Sequence, residues 1–287
     1  MSETRPAPGV ESVAAQAFWD GLRRSTQARI GLGRAGDALP TAEVLKFRAA
    51  HAAARDAVHN PLDVPGLMAR VRALGLGEPV HVASRAVDRS QYLRRPDLGR
   101  LPAESATGEK LSGIESTGAD VGVVLADGLS PRALTDHGAP MLLALAAELG
   151  DRYTLAPPVI ATQARVALGD HIGHALGVRT LLVLIGERPG LSVADSLGIY
   201  LTHLPRPGRA DSERNCISNI HPPEGLGYAR AARVACGLIE GARRIGRSGV
   251  ELKDTSDDAE LAERDAMVLE PGASPNSRCA ADQTILS

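Results

Sequence analysis

Four short, continuous runs of apolar residues in the second half of the chain have the length of buried β-strands. A strand that is apolar on both faces is typical of a sheet covered by helices on both sides, and helix-like segments separate these runs. This alternation predicts an α/β fold with a parallel, Rossmann-like sheet and flanking helices. The predicted strands lie at 121–126, 158–161, 180–185 and 198–203.

The pattern before residue 118 predicts mostly helices. Apolar residues recur at three- and four-residue steps from Val10 to Leu22, which is typical of a short amphipathic helix. Thr41 and Glu43 indicate a capped helix that runs to about His59, where Asn60-Pro61 ends it. Further helices are predicted at 65–74 in this region, and at 130–149 and 226–246 around the strands.

These patterns divide the chain into four segments. Residues 1–21 form an N-terminal extension, residues 22–117 a helical region and residues 118–254 the α/β domain. Residues 255–287 are first acidic and then rich in Ser, Pro and Gly, which is typical of a disordered tail.

Composition and charge argue against several classes of partner. With 44% hydrophobic residues among 287, the chain can form one good core with appendages. A formal net charge of -2 argues against nucleic acid, and two Phe, four Tyr and one Trp leave few rings to stack on bases. Three irregularly spaced cysteines do not suggest a disulfide framework. No apolar segment resembles a membrane span or a secretory signal, so we expect a soluble, cytoplasmic protein.

Polar and glycine-rich segments follow the predicted strands and indicate one binding edge. In an open parallel sheet, ligands bind beyond the carboxyl ends of the strands, where the loops converge. The segments that follow the four strands are 127–130, 163–166, 186–190 and 206–220. Their position predicts a binding edge without naming a ligand.

Three patterns match known functional motifs, but each has a simpler interpretation. The segment GLGRAG at 31–36 matches the dinucleotide-binding glycine pattern, yet no buried strand precedes it, so we favour a turn at a subunit contact. His171 and His174 could place two metal ligands on one helix face, although a solvated or capping role is simpler. Cys216 could be a nucleophile, although the sequence places no His and acidic partner near it.

Several motifs along the chain form a more specific signature when they are taken together. They are Ser25–Arg29, Gly33–Gly36, Phe47–Asp56, Tyr92–Arg100, Asp127–Ser130, Arg165-Val166, Gly186–Gly190, Arg214–Ile220 and Gly249–Asp254. Each motif is a weak signal by itself, but their order and spacing are specific. From about Leu22 to Asp254 the chain resembles the small subunit of ethanolamine ammonia-lyase.

The resemblance implies a two-chain enzyme that converts ethanolamine to acetaldehyde and ammonia with adenosylcobalamin as its cofactor. A large subunit with a (β/α)8 barrel would bind ethanolamine, and this chain would pack over the barrel mouth with cobalamin between the two. The family's cofactor contacts correspond to Val166, Glu187 and Cys216, and no catalytic residue or metal ligand is implied in this chain. These positions follow the second, third and fourth predicted strands, so they fall on the predicted binding edge.

Two finer expectations concern the cofactor. The chain lacks the Asp-x-His-x-x-Gly loop that supplies a cobalt-ligating histidine in many cobalamin proteins, because Asp136-His137 and Asp170-His171 have the wrong spacing. We therefore expect the cofactor to keep its own benzimidazole on cobalt, the base-on form. A thiol readily gives hydrogen to carbon radicals, so we expect Cys216 at the corrin periphery or lower side, away from the adenosyl group.

Several alternatives stay open from the sequence. The N-terminal helix could dock on the large subunit, which we favour, or direct the enzyme into a bacterial microcompartment. Arg94, Arg95 and Arg100 could contact the large subunit or be ordinary surface charge. Glu187 could pair with a corrin amide or cap a helix that begins before Leu191. A nucleotide-dependent oxidoreductase and a non-catalytic oligomer scaffold are the alternative functions.

Overall fold

The protein has an α/β fold with a mixed sheet, so the predicted α/β class is confirmed, but the predicted parallel sheet is only partly observed. The computed structural model describes residues 13–104, 111 and 113–254. The predictions for residues 1–12 and for the 255–287 tail lie outside the described residues. The helices are α1 (Val13–Arg23), α2 (Thr41–His59), α3 (Val64–Arg72), α4 (Arg89–Arg94), α5 (Pro131–Leu149), α6 (Leu168–Leu176) and α7 (Tyr228–Ile245). The strands are β1 (Val80–Ala83), β2 (Val121–Ala126), β3 (Val159–Thr162), β4 (Thr180–Gly186), β5 (Leu197–His203) and β6 (Asn215–Ile220).

The six strands form one sheet in the order β1-β3-β2-β4-β5-β6. The first four strands are parallel, but β5 is antiparallel to β4, and β6 is antiparallel to β5. The prediction of a parallel sheet is therefore wrong for β5 and β6. A parallel connection needs a crossover of a dozen or more residues, usually with a helix. The 187–196 loop contains no helix, so β5 simply folds back beside β4.

The four apolar runs are strands, as predicted, but two further strands were missed. β1 is only four residues long and contains His81, and β6 reads NCISNI with polar residues that remain exposed. β1 and β6 are the two edge strands of the sheet described here, so each pairs with a strand on one side only. Edge strands need no continuous apolar run, so the hydrophobic pattern does not reveal them. β1 also brings the 22–117 region into the sheet.

Alternate residues of the central strands face two separate apolar layers. One layer holds Val121, Val123 and Leu125 of β2 against α5 and α7. The other holds Val124 and Ala126 of β2 against α6. Each fully buried leucine or isoleucine of these layers contributes roughly 1.5–3 kcal/mol relative to an exposed position. Because helices cover both faces, a ligand can reach the sheet only along an edge.

The predicted helices are confirmed, although the predicted cap of α2 is wrong. α2 begins at Thr41, but its N-cap residue is Pro40 and no side chain caps it. α5 is capped instead: the Ser130 hydroxyl accepts a hydrogen bond from the Ala133 N–H at 3.3 Å and donates one to the Ala194 carbonyl at 2.7 Å. This hydroxyl thus ties the start of α5 to the 187–196 loop.

The N-terminal helices are poorly covered by the rest of the chain. α2 buries only Ala57, and both phenylalanines of the sequence, Phe18 and Phe47, are exposed at 60% and 46%. Trp19 packs more closely, since a Cβ atom on Gly31 would lie 2.3 Å from its ring. Among the residues described, no helix combines the length and apolar character needed to cross a membrane.

Candidate functional site

The carboxyl ends of β1 to β4 meet at one edge of the sheet, which we call the carboxyl edge. The segments after β2, β3 and β4 lie there, as the sequence predicts. β5 starts at this edge, because Leu197 pairs with Gly186, and it ends at the opposite edge, where His203 pairs with Thr180. The prediction that the 206–220 loop follows a strand at the carboxyl edge is therefore wrong. Residues from Asn215 onward instead form β6, which returns to that edge.

A cavity of about 290 Å³ opens beside the ends of β2, β3 and β4. Val166 and Glu187, two of the three residues predicted for cofactor contact, line this cavity. Cys216 does not line it, but it pairs in the sheet with Tyr200, which does. The remaining lining residues are Tyr92, Leu129, Arg165, Ile185, Gly186 and Arg188. Two of the three predicted positions thus line one cavity, and the third lies on the strand beside it.

A buried carboxylate holds the segment that carries Val166. Asp127, directly after β2, is 2% exposed and accepts hydrogen bonds from the backbone N–H groups of Gln163 at 2.8 Å and Ala164 at 3.0 Å. Burial raises the pKa of its carboxyl, against the opposing effect of these hydrogen bonds. Arg89 lies 3.7 Å from Asp127 and donates to the Gly128 carbonyl at 2.8 Å. Asp127 therefore fixes the position of the neighbouring loop.

Tyr92 forms the floor of this region between two guanidinium groups. Arg89 and Arg165 stack on its ring at 4.7 and 4.3 Å from the centroid. The Tyr92 hydroxyl donates to the Ala164 carbonyl at 3.1 Å, and burial raises its pKa to about 12. The phenol is therefore a neutral structural group that joins α4 to the loop after β3.

Glu187 is held by the strands on the other side of the cavity. Its Oε2 atom accepts hydrogen bonds from the Ser196 hydroxyl at 2.6 Å and the Asn219 N–H at 3.3 Å. Its other oxygen lies over Gly198, where an added Cβ would approach to 2.8 Å. No helix begins near Leu191, so the alternative of a helix cap is wrong. The carboxylate keeps Oε1 available to accept a hydrogen bond from a ligand.

The surroundings of Cys216 disfavour its thiolate form. Desolvation raises the pKa of its thiol, and the charge of Glu187 adds to this effect, while a hydrogen bond with Tyr200 opposes it. Burial likewise raises the pKa of Tyr200 to about 12. A catalytic thiol normally has a lowered pKa beside a basic group. The raised pKa thus argues against the nucleophile alternative.

Two other residues of the signature stabilise the fold away from the cavity. Arg214 makes a buried bidentate pair with Asp170, with both hydrogen bonds at 2.6 Å. Asn215 donates to the carbonyls of Gly249 at 3.1 Å and Leu252 at 3.0 Å, which fixes the segment after α7. These contacts give the Arg214-Asn215 pair a structural role.

The GLGRAG segment at 31–36 is irregular backbone that leads into a tight turn at Gly36-Asp37. Gly31, Gly33 and Gly36 all have positive φ angles, and the preceding described element is α1 rather than a strand. The adjoining chain is tied to the 187–196 loop, since Arg29 donates to the Leu191 carbonyl at 2.8 Å. The dinucleotide fingerprint requires a strand before it, so this segment does not form one.

His171 and His174 lie on α6, as predicted. Within the described part of the chain, no group of three or more His, Cys, Asp or Glu side chains is arranged to hold a metal ion. His174 is exposed at the helix surface.

Sequence reasoning assigned no role to the aromatic residues of the site. Tyr92 was recognised only as part of a signature motif, and Tyr200 was missed, because their importance depends on contacts with distant segments. A usable signal was the small number of tyrosines, since the chain has only four. Arg165 was recognised only as the neighbour of Val166.

Comparison with known proteins shows similarity over most of the chain. The family model described as "Ethanolamine ammonia-lyase light chain (EutC)" matches residues 16–253. The ethanolamine ammonia-lyase small subunit of Rhodococcus erythropolis is 65% identical over 253 residues, covering 88% of this chain and 96% of that protein. The small subunits of Ralstonia nicotianae (83% and 89% covered) and Azotobacter vinelandii (91% and 96% covered) are each 48% identical.

Proposed function

Because the chain belongs to the ethanolamine ammonia-lyase light-chain family, we propose that it holds adenosylcobalamin against a large subunit that binds ethanolamine. The two-chain enzyme would convert ethanolamine to acetaldehyde and ammonia. The name shared by the relatives, a small subunit, supports a larger partner chain. No catalytic residue is assigned to this chain, whose part in the reaction is to position the cofactor.

The composition of the cavity is the observation that carries this proposal. A corrin is a broad ring with an apolar face and a fringe of amide groups. Val166 and Ile185 offer apolar contact, while Oε1 of Glu187 can accept a hydrogen bond from an amide N–H. The Arg165 guanidinium, which lines the cavity, can donate a hydrogen bond to an amide carbonyl. The residues present therefore fit a corrin periphery.

The size of the cavity supports a site that is shared with another chain. A volume of about 290 Å³ is at the lower end for a pocket that encloses even a drug-sized ligand. It can accept only part of so large a cofactor, so the partner would have to supply the remaining walls. The cobalt–carbon bond of the bound cofactor would supply the radical chemistry, while this chain would hold the corrin in place and help to exclude water.

We retain two finer expectations about the bound cofactor. It would be base-on, with its own benzimidazole as the lower cobalt ligand. Cys216 would contact the corrin away from the adenosyl group, because its protonated thiol could quench a carbon radical. The electron paramagnetic resonance spectrum of the cob(II)alamin-loaded complex should not change when the protein histidines carry ¹⁵N, and such a change would contradict the base-on form.

The large subunit would cover the N-terminal helices. Phe18 and Phe47 are the only phenylalanines of the chain, and both are exposed on these helices rather than packed in the core. Aromatic residues are enriched at the centres of protein interfaces. Arg95 and Arg100 lie at the surface, where they pair with Asp97 at 2.7 Å and Asp211 at 4.0 Å, and their exposed charges remain accessible to a partner. We favour docking over delivery to a microcompartment as the role of α1.

Co-expression with a barrel-type large subunit tests the proposed function. Addition of adenosylcobalamin and ethanolamine should release acetaldehyde, and omission of this chain should abolish that release. An oxidoreductase would instead bind a nicotinamide cofactor without the partner. A scaffold would leave the activity intact when Val166 and Glu187 are both replaced, for example as Val166→Asp with Glu187→Gln. Either of these last two results would contradict the proposal.

A further inference from the structure

Arg165 has a charge and a donor group that the described residues leave unsatisfied. Its Nε atom is buried without a hydrogen-bond partner, and its Nη2 atom makes only a long 3.4 Å contact to the Tyr92 carbonyl. Asp127, the buried carboxylate that accepts a hydrogen bond from the neighbouring Ala164 N–H, pairs with Arg89 and with backbone N–H groups instead. A buried donor without an acceptor destabilises the folded chain, so such groups are uncommon.

The side chain of Arg165 is also held in one position. Its guanidinium stacks on Tyr92, and its backbone N–H donates to the Gly99 carbonyl at 2.8 Å. A Cβ atom on Gly99 would lie 2.9 Å from Cγ of Arg165, so the glycine makes room for this arrangement. A fixed donor at a cavity wall is preorganised for a ligand acceptor.

The proposed function names a ligand that carries suitable acceptors, and the following inference rests on it. We propose that the Arg165 guanidinium, which lines the cavity, donates a hydrogen bond to an acceptor oxygen of the bound cobalamin. Two parts of that cofactor supply such oxygens, namely the amide carbonyls of the corrin and the phosphate of the nucleotide loop. Tyr92 acts as a positioning residue, because it holds the guanidinium against the wall.

Equilibrium binding to the assembled two-chain complex tests this contact without turnover. The probes are cyanocobalamin, which has the nucleotide loop, and dicyanocobinamide, which lacks it. Arg165→Met should raise the Kd for cyanocobalamin about tenfold or more, since a charge-assisted hydrogen bond is lost. Arg165→Lys should also weaken binding, because lysine lacks the planar set of donors of a guanidinium. Arg132→Met is the matched control, because it also removes one arginine charge, but at the surface of α5, where Arg132 pairs with Asp136. It should leave the Kd unchanged.

The two probes separate the possible acceptors. An equal loss with both probes would identify a corrin amide, and a loss with cyanocobalamin alone would identify the phosphate. A Kd within about twofold of wild type for both Arg165 variants would overturn the inference, provided that wild type binds. If the wild-type complex bound no cobalamin at all, the proposed function itself would fail. Thermal unfolding of each variant shows whether a loss of cobalamin affinity reflects misfolding. If Arg165→Met is misfolded, the Kd of Arg165→Lys, which keeps the charge and most of the volume, is the measurement that tests the inference.

Discussion

The carboxylates around the cavity differ in what they do. Asp127 uses both oxygens on backbone N–H groups and is a structural anchor. Glu187 uses one oxygen on Ser196 and Asn219 and keeps the other near the cavity. Both residues follow predicted strands, so the sequence correctly places them at the carboxyl edge. Their different roles could not be predicted, because they depend on partners 9 to 37 residues away along the chain.

The pKa of the Cys216 thiol gives a first prediction. Desolvation and the charge of Glu187 raise it, so alkylation of Cys216 by iodoacetamide should show an apparent pKa above the ordinary value of 9.0. Glu187→Gln should lower this pKa, because it removes a negative charge that disfavours the thiolate. The rate is measured against pH by mass spectrometry of the Cys216 peptide. Glu251→Gln, at an exposed carboxyl paired with Arg247, is the matched control and should have no effect.

The anchoring role of Asp127 gives a second prediction. Asp127→Asn keeps the shape but replaces one acceptor oxygen with a donor that faces a backbone N–H. We expect the free energy of unfolding in urea to fall by about 1–3 kcal/mol. Asp136→Asn changes an exposed carboxyl paired with Arg132, and it should change stability by less than about 1 kcal/mol. Equal effects of the two variants would show that Asp127 does not anchor the loop.

At the level of elements, the hydrophobic pattern predicts which segments are buried strands better than it predicts the direction in which each strand runs. The run at β5 is buried on both faces, whichever way the strand points, so its apolar residues cannot distinguish a parallel from an antiparallel neighbour. The length of the 187–196 loop was the available signal, since it lacks room for a crossover helix. The short, partly polar edge strands β1 and β6 carry no comparable pattern. This is why Cys216 was placed in a loop rather than in a strand.

Two glycines in helices give opposite predictions for stability. Gly237 lies on the exposed face of α7, and no atom lies within 4 Å of a Cβ placed there, so Gly237→Ala should stabilise the chain by roughly 0.5–1 kcal/mol. Gly169 of α6 packs on β4, and its Cβ would lie 2.6 Å from Cγ2 of Val183. Gly169→Ala should therefore destabilise the chain. Thermal unfolding of both variants measures the difference, and the same sign for both would contradict the described packing.

At the scale of the whole molecule, the chain has features of a partner subunit. Its core is built from aliphatic residues, while both phenylalanines lie on exposed helices. The family relationship was recognised from the order of motifs along the sequence. The surface that a large subunit would cover could not be predicted in the same way, because exposure depends on how α1 and α2 pack.

The exposed phenylalanines give a prediction for assembly. Phe18→Ser combined with Phe47→Ser should leave the melting temperature of the small chain nearly unchanged, because neither ring is buried within it. The same variant should weaken association with the large subunit at least tenfold, measured by sedimentation or co-purification. Leu143→Ser on α5, where Leu143 is 54% exposed, is the matched control. Full assembly of the double variant would exclude these helices from the interface.

The most direct measurement is a structure of the co-expressed two-chain complex loaded with cobalamin. We predict that the corrin lies against the carboxyl edge, with Val166 and Glu187 in contact with it and Cys216 away from the adenosyl side. The large subunit should close the opposite side of the cofactor. A structure in which this edge faces bulk solvent, with the cobalt bound elsewhere, would contradict the account.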